Sequence, residues 1–215
     1  MRLSLARRTV FALLVMAAFA MSGPAALALS EQDRDAARQT VTTLGADLAA
    51  LSGRVDGMSG QEAVSAAGEV VRKSFNLERI AAATVGTSVF QKWTADQQRD
   101  YVDAFIRYTL ASQTGMLTRY KQDRLTIQGV ETAPDDLTMV RTKYAGEDGT
   151  TSRVDFLLAK DEADTFRIVD LVIDGSISQL TLRRAEFKSV LKSKGYDGLL
   201  AILRKKADQL IAKRG

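Results

Sequence analysis

The spacing of apolar residues changes twice along this chain, and that change limits the fold more than any other feature. Up to about residue 122 apolar side chains recur at helical intervals, from Arg124 they alternate, and after Gly175 the helical interval returns. Helices, then strands, then helices cannot be threaded as the alternating units of a parallel sheet. The pattern predicts an α+β domain: a curved, four-stranded antiparallel sheet packed by helices from both ends of the chain.

Ala37, Val41, Leu44, Leu48 and Leu51 predict an amphipathic helix over residues 30–51, behind a Ser cap and an acidic first turn. Glycines between residues 52 and 60 break it, and Ser59-Gly60-Gln61-Glu62 reads as a capping box that opens a helix to about Phe75. A short helix follows over residues 76–85 and ends at Gly86. Thr94-Ala95-Asp96-Gln97 is a second capping box, at the head of a long helix carrying Tyr101, Phe105, Tyr108, Met116 and Tyr120. Strands are expected around residues 125–127, 138–144, 153–158 and 165–174. Turn residues at Pro134-Asp135-Asp136, Glu147-Asp148-Gly149 and 161–164 join them as a meander. The last of these strands is apolar on both faces and is expected inside the sheet. The helical interval then runs to a stop at Gly195, and Asp197 caps a final helix.

The first 28 residues hold Arg2, Arg7 and Arg8 without an acid, an apolar run over residues 10–20, and Ala26-Leu27-Ala28. These are the parts of a secretory signal peptide cut after Ala28, leaving residues 29–215 as one domain. The apolar run is shorter than the ~20 residues a spanning helix needs. The Arg7-Arg8 pair is compatible with twin-arginine export, but its surroundings add little, so general secretion is the expected route. Without the leader the chain carries 27 basic and 26 acidic side chains. Such a balance gives no reason to expect a nucleic-acid partner.

The chain has no Cys and no His. That excludes thiol nucleophiles, Ser-His-Asp triads, His general bases and the usual zinc ligand sets. Asp33, Asp35, Asp96, Asp103 and Glu186 fall on polar helix faces and read as solvated. Asp170 lies inside an apolar strand, where a charge needs a partner, and Arg183 or Arg184 on the following helix can supply one. An enzyme using Asp170 as a buried base on an apolar substrate is the rival reading. A scaffold with a filled core that only docks other proteins is another. The aromatic and Met stripe of Phe90, Trp93, Tyr101, Phe105, Tyr108, Met116 and Tyr120 fits a packed interior. Tyr and Met also suit a surface that meets a mobile ligand, and a curved sheet faced by helices can leave a cavity.

From Asn76 onward the sequence resembles the MlaC family, the periplasmic phospholipid-binding component of Mla lipid-trafficking systems, also called the toluene-tolerance family. Four stretches carry the resemblance, in the family's order. They are Phe90-Gln91-Lys92-Trp93-Thr94 with Gln98, Tyr101 and Phe105; the strand from Phe166 to Asp170; Gly175, Ser178, Arg184 and Phe187; and Lys194-Gly195-Tyr196-Asp197-Gly198-Leu199-Leu200. Ser178 stands one residue further from Gly175 than is usual, Phe166 replaces a customary Trp, and Val169 stands where Tyr is common.

The resemblance implies a fold similar to the nuclear-transport-factor (NTF2-like) arrangement, with an internal apolar cavity holding phospholipid acyl chains. The residues expected to line it are Phe90, Trp93, Tyr101, Phe105, Tyr108 and Met116 from the helical part. Met139, Val154, Phe156, Ile168, Val172 and Leu180 complete the set from the sheet and its exit. Asp170 and Arg184 are expected as a structural ion pair. The implied partners are an inner-membrane ABC transporter complex with a substrate-receiving ring and an outer-membrane lipoprotein complex. The chain is expected to act as a periplasmic monomer without cofactor or catalysis. Phospholipid, a hopanoid and other bacterial lipids all remain open as cargo. N-terminal sequencing of the exported protein is expected to start at Leu29; recovery of residues 1–28 in a membrane fraction would refute the cleavage.

Overall fold

The computed structural model of the chain describes residues 29–117, 120–121, 124–146 and 149–213. The expected leader and two residues of the second turn, Glu147 and Asp148, lie outside the described residues. Helix α1 (Glu31–Ser52) starts where the Ser30 hydroxyl accepts the Asp33 amide. A single 3-10 turn (Val55–Gly57) leads to α2 (Gly60–Ser74), whose capping box of Ser59 and Glu62 satisfies one orphan amide in each direction. Helices α3 (Leu77–Val85) and α4 (Thr87–Phe90) follow, then α5 (Ala95–Leu117), opened by the reciprocal Thr94 and Gln97 bonds.

Strands β1 (Leu125–Ala133), β2 (Leu137–Ala145), β3 (Thr151–Lys160) and β4 (Phe166–Ile173) form an antiparallel meander. The turn aspartates explain how the chain reverses so tightly: Asp135, Asp136, Asp164 and Asp174 all adopt positive φ, which Asp tolerates better than most residues. A fifth strand, β5 (Ile177–Ser178), pairs with β4 and is too short to show any period in the sequence. The free edge of β4 is also covered by the α2–α3 junction, where the Asn76 amide donates to the Ile168 carbonyl. Bulges at residue 128 of β1 and at Val169 of β4, opposite Leu157 and Leu158, bend the sheet.

Helix α1 crosses this sheet, pinned by Arg34 to the Val130 carbonyl at 2.5 Å and by Thr40 to the Phe166 carbonyl at 3.2 Å. The chain closes with α6 (Gln179–Ala212), capped by Ser178, whose part before Gly195 is antiparallel to α5 and whose part after it runs back along α5. The two terminal helices expected from the sequence are both present and meet at Gly195, whose φ of 67° and ψ of −171° belong to a region open essentially to Gly alone; the second folds back so that Lys206 reaches Glu186 of the first. Tyr196, directly after the kink, donates its hydroxyl to the Gln97 carbonyl at 2.9 Å. Nothing lies within 4 Å of where a Gly195 Cβ would stand, so its constraint is backbone torsion and not crowding. Gly195→Ala is therefore expected to cost about 1–3 kcal/mol of stability in urea unfolding; an unchanged midpoint would show that the kink relaxes without strain.

Candidate functional site

The helices do not fill the space beneath the sheet. Between them lies a cavity of about 710 Å³, within the range of small-molecule sites. Helix α1 contributes Val41, Leu44, Gly45 and Leu48, spaced i, i+3, i+4, i+7 on one face. Val71, Phe75, Leu77 and Ile80 come from the α2–α3 corner, Phe105 and Leu110 from α5, and Leu180 from the first turn of α6. The sheet adds Leu125, Val154, Phe156, Val169, Leu171 and Ile173.

Polar lining is sparse: Thr84, Thr109 and Gln113 on the helices and Asp170 on β4 interrupt the apolar wall, and a further set lies near the strand ends and the start of α6. Tyr144 and Gly146 close β2, Arg124 precedes β1, and Gln179 and Arg183 open α6. In the meander, the start of β1, the end of β2, the start of β3 and the end of β4 are neighbours, so these groups gather at a single edge. Arg183 is held there by its own bonds to the Tyr108 hydroxyl and to Glu186, both at 3.1 Å. Tyr120 stacks on Tyr144 at 6.2 Å, and burial pushes its phenol up to about 12.

Of the residues expected on the wall, the structure places Phe105, Val154, Phe156 and Leu180 there. Phe90, Trp93 and Tyr101 instead pack with Tyr196, their ring centres 4.9–6.3 Å apart and mostly edge to face, with Tyr101 in the core and the other three half-buried against it. Tyr101 is fully buried and its hydroxyl meets Thr84 Oγ1 at 2.7 Å; burial drives its phenol strongly upward. Tyr108 turns to α6, beneath the cations of Arg183 and Lys206. Ile168 is fully buried in the core. Met139 and Val172 lie on the far face of the sheet, because Val140 and Phe156 pair on the cavity face and neighbours alternate. The side chain of Met116 lies outside the described residues.

The expected ion pair of Asp170 with Arg184 is corrected. Asp170 accepts from the Ser178 hydroxyl at 2.5 Å and from the amides of Leu171 and Leu180 at 2.7 and 2.9 Å. It ties β4 to the first turn of α6, where free helical amides attract a carboxylate. Arg184 rests against Gly86 instead. With three hydrogen bonds on its carboxylate, Asp170 is a joint in the fold. The buried acid that sequence reasoning missed is Asp155, fully enclosed and paired with Arg153 at 2.5 Å on the outer face of the sheet. Arg153, two residues away on the same strand face, was the available signal. Also missed were all the wall residues of α1, α2 and α3.

Among the described residues no group of three or more acids is placed to hold a metal ion. No helix there is long and apolar enough to cross a membrane.

Comparison with known proteins was made by sequence and by fold. The family model described as MlaC protein matches residues 39–205. No curated protein matches the sequence. Among solved structures, the chain is similar to a phospholipid-binding protein from Ralstonia solanacearum, solved in complex with a phospholipid. The TM-score is 0.67 at 18% identity, over 82% of this chain and 97% of that one.

The division between packed aromatic core and cavity wall has a measurable signature. Trp93→Ala removes a ring packed on both sides and is expected to cost about 3 kcal/mol in urea unfolding. Ile80→Ala removes atoms that already lack neighbours on one side, at a cost of about 1 kcal/mol. Equal losses would mean that the space beside Ile80 is filled.

Proposed function

Because the chain belongs to the MlaC protein family, we propose that it is a periplasmic carrier that sequesters phospholipid acyl chains and passes them between membrane complexes. The observation that carries this reading is the cavity itself. It is lined chiefly by aliphatic groups from the surrounding helices and from the sheet, with few polar groups among them. Acyl chains lie against the aliphatic wall, and the head group stays at the end near Arg124, Gln179 and Arg183.

Placing one 16-carbon chain in water costs on the order of 12 kcal/mol, at ~0.8 per methylene, and two chains about double that. A carrier has to hide them, but it need not outbid the membrane, whose interior is equally apolar. No bond has to be made or broken, which accords with a chain that has no His and no Cys. The family resemblance supplies the partners of this reading: an inner-membrane ABC transporter complex with a lipid-receiving ring and an outer-membrane lipoprotein complex. The phospholipid complex of the Ralstonia protein supports the choice of cargo.

Native mass spectrometry of the gently purified protein is the direct test, with lipid extraction to identify any bound mass. The wild-type chain is expected to carry phospholipid. Ile80→Asp is expected to lose it while remaining folded by circular dichroism, since a charge on an apolar wall costs several kcal/mol unless water enters (about 2–7 for an uncompensated polar group). A wild-type protein that arrives without lipid, and takes none from vesicles, would overturn the carrier reading.

A further inference from the structure

The exposed large hydrophobic side chains among the described residues are Val89, Ile177 and Leu182. Two of them belong to one junction. Ser178 caps α6, its hydroxyl accepting the Thr181 amide, so Ile177 stands just before the cap and Leu182 four positions after it. That is the spacing of a hydrophobic staple, which brings the two side chains together. Both still face water, Ile177 being 44% and Leu182 55% exposed.

This apolar surface continues the cavity wall. Ile177 pairs across the strands with Ile173, and Leu182 lies between Leu180 and Arg183 in sequence; Ile173, Leu180 and Arg183 all line the cavity. Gln179, in the same first turn, lines the cavity and is exposed, so the cavity comes to the surface beside the pair.

The helix that follows is basic. Residues 179–194 carry Arg183, Arg184, Lys188, Lys192 and Lys194 against Glu186 alone, a surplus of four where residues 29–215 together have a surplus of one. Glu186 is already engaged, by Arg183 at 3.1 Å and Lys206 at 3.4 Å. Lys188 and Lys192 form no ion pair with any described residue. With Thr181, Leu182 and Ala185 they are exposed, on the side of the helix turned away from buried Phe187.

An apolar tip of two side chains is too small for a stable protein interface, which buries on the order of 1,000 Å² or more and matches shapes. Unpaired lysines on flexible stems specify no shape either. Both suit a fluid surface, where apolar side chains enter the head-group layer and cations are drawn to anionic phosphates.

We propose that this rim is a membrane-contact site for a bilayer bearing anionic phospholipids. Ile177 and Leu182 enter the head-group layer, Lys188 and Lys192 lie over the phosphates, and the cavity end at Gln179 is brought to the lipid surface. The site rests on the carrier reading for its purpose and adds to it a direct contact with the bilayer.

The test is co-sedimentation of the purified protein with vesicles of equal parts phosphatidylglycerol and phosphatidylcholine, against vesicles of phosphatidylcholine alone. The wild type is expected to bind the mixed vesicles about tenfold or more tightly, and to lose most of that preference in about 1 M salt. Lys188→Gln with Lys192→Gln should weaken binding to the mixed vesicles about 25-fold, at about fivefold for each cation lost. Ile177→Ser with Leu182→Ser should weaken it about tenfold. All four positions are exposed, so circular dichroism and lipid uptake from detergent micelles should match the wild type in both variants.

A wild type that does not sediment with the mixed vesicles, or variants that sediment as well as it does, overturn the membrane site and leave the carrier reading standing. Variants that also fail to load from micelles overturn it too, because the rim would then serve the cavity or the fold. If the wild type ignores vesicles while the same variants lose binding to a protein complex of either membrane, the rim is a protein-docking surface and the membrane site falls. Vesicle binding by a wild type that takes up no lipid from micelles or vesicles overturns the carrier reading alone.

Discussion

The rest of this structure depends on keeping helices away from a sheet they would otherwise collapse onto. Protein interiors are close-packed, and an aliphatic surface left facing open space forfeits dispersion contacts along its whole extent. What resists collapse is a set of polar attachments around the margin of the sheet. Arg34 and Thr40 fasten α1 to backbone carbonyls of β1 and β4, and Lys160 joins the end of β3 to Asp33 at 2.8 Å. Arg167 reaches the last carbonyls of α2, and Asp170 holds the start of α6. These bonds are directional, so they fix the spacing of the layers in a way that apolar contact alone cannot.

The aromatic block provides the second half of that support. Phe90, Trp93, Tyr101 and Tyr196 lock α4, α5 and the kink of α6 into one unit, extended by the edge-to-face contact of Phe105 with Phe187 at 6.2 Å. The large rings are thus concentrated on the helical side, and the cavity is bounded chiefly by Leu, Val and Ile. Rigid, directional aromatic packing belongs where a shape must be kept. Branched aliphatic groups without polar edges belong where the neighbour is a hydrocarbon chain with no shape of its own. Phe105 stands on the boundary, one of its faces in the aromatic block and another on the wall.

The elements were legible in the sequence because their signals are local. Capping boxes at Ser59 and Thr94, the aspartate turns, and the stop at Gly195 each act within a few residues. The cavity was legible only as a possibility, since an apolar stripe looks the same whether it meets another side chain or a space. The strand positions show the limit most clearly. Ile168 and Val172 are four apart and should share a face, but the bulge at Val169, opposite Leu157 and Leu158, shifts the register between them. Ile168 pairs with Leu158 on the helical face, and Val172 pairs with Asp155 on the other. A single inserted residue thus reverses which side chains look inward, and nothing in the local sequence marks it. The wall of α1 escapes the sequence for a related reason: the stripe of Val41, Leu44 and Leu48 reads the same whether it meets packed side chains or open space.

On the carrier reading, the weakness of such a wall as a binding surface is what the task requires. A cavity offering many specific contacts would hold its lipid more tightly than a bilayer does and would not give it up. Aliphatic lining matched to the membrane interior leaves the transfer of chains nearly neutral, so small differences decide where the lipid resides. Selectivity then has to come from the few polar groups placed where the ligand itself turns polar. A polar group on such a wall adds little to the affinity for a hydrocarbon chain, yet it distinguishes a ligand that offers it a hydrogen-bond partner from one that does not. Discrimination and release can therefore coexist in one cavity, the first set by its few polar groups and the second by the aliphatic wall around them.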